Sequence, residues 1–154
     1  MFNEAAIKEL NEIKRKYPDA RAALLPALYI AQREFGHLGA DSYEAVSEAL
    51  GVPKAIARGV GTFYVMYKHK PMGRHIVQLC TNVSCMILGA EKLADFLKNK
   101  YGLEPGGTTP DKRFSLVIME CIGACGTAPA MLVNEDFYEN LTEKYIEEIL
   151  DSYK

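Results

Sequence analysis

Apolar positions recur at helical spacing through the first 67 residues. Ile7, Leu10, Ile13 and Tyr17 form one stripe, and Pro18 stops it. Leu24, Leu28, Ala31 and Phe35 form a second, closed by Gly36 and Gly39; Pro26 lies inside it, which predicts a kink or a later start. Tyr43, Val46 and Leu50 predict a short third helix, with Asp41 and Ser42 as cap candidates. Pro53 suits the first turn of a fourth helix carrying Ile56, Val60, Phe63 and Tyr67. Gly59 and Gly61 weaken that helix by about 1 kcal/mol each unless they permit close packing.

The pattern shortens after the polar hinge Lys68–Arg74. His75 to Leu79 reads as a buried strand running into Cys80, followed by a loop with Cys85 and a helix bearing Leu93, Phe96, Leu97 and Tyr101. Gly102 to Arg113 is turn-rich, and Phe114 to Glu120 is a second strand ending at Cys121. Ala130–Val133 and Phe137–Glu139 flank Asn134-Glu135-Asp136 as a hairpin, and Thr142 caps a last helix with Ile146, Ile149 and Leu150. The expected fold is α/β of the α+β kind. A helical region over residues 1–70 precedes a thioredoxin-like domain with a mixed sheet over residues 71–154.

Composition narrows the functional classes. With 49% hydrophobic and 25% charged residues the chain can fill a core, and a net charge of −2 gives no reason to expect nucleic acid. The charged N-terminus lacks the apolar stretch of a signal peptide, and no apolar run reaches the roughly 20 residues of a spanning helix. The expected location is cytoplasmic, with any membrane contact made through partners. In a reducing compartment, clustered cysteines point to metal or redox chemistry rather than to a structural disulfide.

All four cysteines fall in the second half as two pairs, Cys80-x4-Cys85 and Cys121-x3-Cys125, each directly after a predicted strand. Both pairs can therefore project from one end of one sheet. A [2Fe–2S] rhombus needs two protein ligands on each of two irons, and two cysteine pairs meet that count with none left over. The spacings are wider than the x2 turns common in zinc sites, although structural zinc stays open, since zinc spacing extends to x4. C-x-x-C and C-x-x-C-H are both absent, which argues against a thioredoxin-type dithiol and covalent haem. The cluster would be anionic, and Cys85 near a helix start together with the small-residue loop Cys121–Pro129 can direct backbone N–H groups at sulfur. Ile122, Met86 and Ile87 are expected to exclude water.

These motifs are similar to a known family. Cys80-x4-Cys85, Cys121-Ile-Gly-Ala-Cys125 and the Ala128-Pro129 after them resemble the thioredoxin-like [2Fe–2S] subunit of NADH–quinone oxidoreductase, respiratory complex I. Ala23-Leu24-Leu25-Pro26, Ala31-Gln32, Gly61-Thr62-Phe63-Tyr64-x-Met66-Tyr67 and Asn134–Tyr138 extend the resemblance from about residue 18 to residue 150 in the same order. One departure is Lys112, where such chains often place Gly, which puts the geometry of that turn in question. The resemblance implies that Cys80 and Cys85 ligate one iron, and Cys121 and Cys125 the other. It further implies docking, through the helical region, on a flavoprotein that binds NADH and FMN and carries a [4Fe–4S] cluster. The chain would then exchange single electrons with that flavin, as a subunit with no substrate catalysis of its own. Related subunits serve NAD-dependent formate dehydrogenases and NAD-reducing or bifurcating hydrogenases. A zinc-stapled interaction module and a free-standing ferredoxin are the other readings.

The remaining chemistry-bearing residues have simpler roles. His37, His69 and His75 lie outside both cysteine loops and read as solvated or capping groups. Gly59-x-Gly61 and Gly106-Gly107 lack the strand–loop–helix context of a phosphate site. Met66, Met119 and Met131 read as core fillers, Glu120 as a surface charge, and Lys68, Lys70 and Arg74 as a solvated face.

Overall fold

The computed structural model describes residues 1–154, in two compact units, Met1–Pro71 and Met72–Lys154. The first is all-helical: α1 (Glu4–Lys16), α2 (Leu24–Phe35), α3 (Ala40–Leu50) and α4 (Lys54–Phe63), with a 3₁₀ turn at Ala20–Ala23. Asn3 caps α1 by accepting from the Ala6 N–H at 2.8 Å, and Gly36 ends α2 in the left-handed region at φ +77°. One core holds this unit together, with Leu10, Leu28, Val46 and Ala57 at its centre.

Several expectations change here. Helix α2 is neither kinked nor delayed by Pro26. It begins at Leu24, so Pro26 sits in the first turn, where a missing N–H leaves no helical bond unmade. Helix α3 begins at Ala40 after Gly39, so Ser42 caps from inside: its hydroxyl accepts from the Gly39 N–H at 2.8 Å. Helix α4 stops at Phe63, and Pro53 precedes it rather than opening it. Phe63, expected inward, is 77% exposed, whereas Tyr67 folds back from the following turns and is buried.

The second unit is built on a four-stranded sheet, order β2-β1-β3-β4: β1 (His75–Cys80), β2 (Phe114–Met119), β3 (Met131–Val133) and β4 (Asp136–Tyr138). Strands β1 and β2 are parallel, so a crossover must join them, and α5 (Val83–Ile87) with α6 (Ala90–Tyr101) supplies it. Strand β3 runs antiparallel to both β1 and β4, which makes the sheet mixed as expected. Helix α7 (Glu143–Ser152), capped by Thr142, joins α6 and the sheet through Leu97, Leu116, Met131 and Ile146 in one core. The Arg113 guanidinium donates to the Leu150 and Tyr153 carbonyls and so satisfies the open end of α7. No helix is long and apolar enough to cross a membrane.

Candidate metal centre

Register places the thiols at one end of the sheet. Cys80 is the last residue of β1 and pairs with Met119, the last of β2, so Cys80 and Cys121 leave the parallel pair at the same end. The antiparallel β3 begins at that end too, and the Cys80 N–H donates to the Ala130 carbonyl at 3.1 Å. Asn82 then turns the chain into α5, its side chain accepting from the Val83 N–H at 2.7 Å. That turn places Cys85 beside Cys80. The stretch that sequence pattern leaves as a loop is therefore one helical turn, and Cys85 is its middle residue rather than lying at the start of the long helix α6.

The four sulfurs differ in exposure. Cys80 and Cys85 are each 3% exposed, in a small cluster with Ala90, Ala128 and the partly buried Ile122. Cys121 and Cys125 are exposed, and all four are free thiols. Met86 and Ile87, expected to exclude water, instead face it at 45% and 73% exposure; Ile122 alone of the three packs against the thiols. Met66 is likewise at the surface, whereas Met131 is fully buried.

Backbone amides surround the sulfurs. The Gly123 N–H donates to Cys121 Sγ at 3.4 Å, and Gly123 can present it because the residue adopts φ +81°. Burial raises the Cys80 thiol's pKa, but the backbone N–H groups of Asn82 and Ile122 and the thiols of Cys85 and Cys121 outweigh it, and the net shift is downward. Cys85 moves up: burial dominates, the Cys80 thiol adds to it, and the Ala130 N–H opposes it. Cys125 also acts electrostatically on Cys85, so all four sulfurs share one neighbourhood.

That neighbourhood fits a two-iron cluster. Donors are soft thiolates in the number a rhombus requires, and amides are aimed where negative charge would accumulate. The histidines stand apart: His75 is at the opposite end of β1, its ring tilted against Tyr153, and His69 meets the Tyr43 hydroxyl at 3.4 Å. Sequence reasoning missed Asn82 and Ala130. An Asx residue just before a helix was the available signal for Asn82. Nothing marked Ala130, which acts through its backbone.

Comparison with known proteins agrees with this chemistry. Residues 10–154 match the model of the thioredoxin-like [2Fe–2S] ferredoxin family. The chain is 42% identical over 147 residues to an NADH-quinone oxidoreductase subunit of Rhizobium meliloti (strain 1021), covering 96% of this chain and 88% of that one. It is 36% identical over 156 residues to the corresponding NADH-quinone oxidoreductase subunit of Rickettsia bellii (strain RML369-C), covering 99% and 93%. Among solved structures, an air-oxidized NAD+-reducing [NiFe]-hydrogenase superposes with a TM-score of 0.71 at 25% identity, over 84% of this chain and 22% of the hydrogenase chain.

Proposed function

The chain belongs to the thioredoxin-like [2Fe–2S] ferredoxin family, and from that premise we propose that it is the electron-transfer subunit of an NADH–quinone oxidoreductase. The observation that carries this reading is the near full-length relation, at 42% identity, to a subunit of that complex. Cys80 and Cys85 would hold one iron, and Cys121 and Cys125 the other. When bound, the cluster supplies a one-electron couple, which lets a two-electron donor such as a reduced flavin pass its electrons singly.

The chain's own residues set the conditions for that couple. Burial of Cys80 and Cys85 shields one side of the site from water, while the exposed Cys121–Cys125 loop leaves the other within reach of a partner. The amides of Asn82, Ile122, Gly123 and Ala130 hold negative charge on sulfur without a neutralising side chain. The partner in this reading is a flavoprotein with NADH, FMN and a [4Fe–4S] cluster, on the cytoplasmic side of the parent complex. The segment Phe63–Met66 suits such docking: Phe63 is 77% and Val65 72% exposed, beside Tyr64 and Met66, a larger apolar patch than isolated surface residues make.

The test is anaerobic purification from the native host with iron and sulfide analysis, EPR, and identification of co-purifying subunits. About two irons and two sulfides per chain, a rhombic signal on reduction and a quinone-reducing complex are expected. The hydrogenase likeness favours a second reading, the same role in an NAD+-reducing hydrogenase. Recovery of a nickel–iron subunit would select it.

A further inference from the structure

The unequal exposure of the four thiols bears on how the cluster arrives. Cys80 is fixed at the end of β1 by the ladder and by its bond to Ala130, and Cys85 sits within α5; both sulfurs lie under Ile122 and Ala128. Cys121 lies outside any helix or strand and Cys125 opens a short 3₁₀ turn, Cys125–Thr127; both are exposed, with Gly123 and Gly126 between and beside them. Space around this segment is open: a Cβ built at either glycine meets nothing within 4 Å. Exchange of one thiolate for another at iron requires the incoming sulfur to reach a metal still wrapped in its carrier's ligands. Only the exposed pair meets that condition.

Building on the four-thiol ligand set above, we propose that Cys121 and Cys125 capture the cluster first, from a carrier that holds it on thiolates, and that Cys80 and Cys85 complete ligation afterwards. Each cysteine thiol displaces one carrier thiolate and passes its proton to the departing sulfur. Four Fe–S bonds to the carrier break, four to the protein form, and iron and sulfide keep their oxidation states. Once two ligands are in place the rest of the exchange is intramolecular, which favours completion by a pair a free carrier cannot approach.

The test follows uptake by the full-length, reduced apoprotein from a [2Fe–2S] complex of four glutathione thiolates, read by stopped-flow visible circular dichroism. The C121S/C125S variant is expected to lose at least about tenfold in initial rate, while C80S/C85S stays within about threefold and stops at a mixed-ligand species seen by native mass spectrometry. A larger rate loss in C80S/C85S, or equal losses, would overturn the order of capture. Gly126→Glu and Gly126→Lys give an answer even if a cysteine variant misfolds. The carrier complex is anionic, so the lysine variant should take up cluster faster than the glutamate variant at low salt, converging as salt screens the charge. Identical rates for the two would overturn capture at this loop. Wild-type apoprotein that acquires no cluster would instead refute the ligand set.

Discussion

Gly61 on α4 lies against the ring of Tyr43 on α3, so close that a Cβ at residue 61 would come within 2.5 Å of the hydroxyl and 2.6 Å of a ring carbon. Gly59, two residues earlier, is exposed with nothing within 4 Å of the same construction. The two glycines therefore have opposite energetics. Gly61→Ala should cost about 1–3 kcal/mol by overpacking the contact. Gly59→Ala should gain about 0.5–1 kcal/mol by removing backbone entropy from an exposed helix. Chemical denaturation of both variants checks this; destabilisation by both would mean that Gly59 too lies against a neighbour.

Lys112 occupies the left-handed region at φ +57°. It stays there because its N–H donates to the Thr109 carbonyl at 2.8 Å, and its own carbonyl accepts from the Arg74 N–H at 2.9 Å. A side chain in that region is strained, which explains why glycine is at home in this turn. Lys112→Gly should raise stability by about 0.5 kcal/mol, the relief of strain exceeding the added entropy of the unfolded chain. An unchanged or lower thermal midpoint would argue against strain here.

Tyr67 is buried and its hydroxyl donates to the Leu25 carbonyl at 2.8 Å. Burial, reinforced by Tyr29, Tyr64 and Tyr43, holds its pKa above the ordinary tyrosine value. With the folded value raised, this contribution to stability is complete below about pH 10, where the unfolded phenol ionises, and is lost as pH rises toward the folded value. Tyr67→Phe should flatten the alkaline decline in unfolding free energy while costing about 1 kcal/mol at neutral pH for the lost hydrogen bond. Denaturant titrations at several pH values provide the comparison, and parallel curves for the two proteins would count against the assignment.

Removing either kind of thiol should remove the chromophore. With the proposed ligand set, Cys80→Ala and Cys121→Ala would each leave one iron short of a ligand, and both are expected to purify with little visible absorption or to bleach within hours. A full wild-type spectrum in both variants would refute the ligand set.

Phe63→Ser together with Val65→Ser should weaken association with the proposed flavoprotein partner by at least about tenfold, since exposed apolar side chains of this size each contribute a kcal/mol or more when buried by a partner. Folding stability should hardly change, because neither side chain is in the core. Undiminished co-purification of the flavoprotein would place docking elsewhere.

Much of this architecture was legible in spacing alone. The stripe Leu24, Leu28, Ala31 is buried as its period required, and the apolar run His75–Leu79 lies in the inner strand β1. Periodicity failed at Phe63 and Tyr67. The two residues continue the stripe of α4, yet the helix ends at Phe63, leaving that ring in solvent while Tyr67 returns to the core from a turn. Hydrophobic character does not say which apolar residues a partner will cover. Pro26 misled in a different way, because an interior-looking proline is harmless once a 3₁₀ turn delivers the chain and makes it a first-turn residue.

For the proposed metal centre, residue type and order supplied the donors: four thiols, grouped in two pairs, each following an apolar run. No packing can alter those properties. The asymmetry came from the three-dimensional arrangement. Cys80 and Cys85 are buried and Cys121 and Cys125 exposed because β1 is an inner strand with neighbours on both sides, whereas β2 is an edge strand that releases its chain into a loop. The amides of Ala130 and Ile122 reach sulfur for the same reason. They come from segments far from Cys80 and Cys85 in the chain, and only the sheet's register brings them to one end.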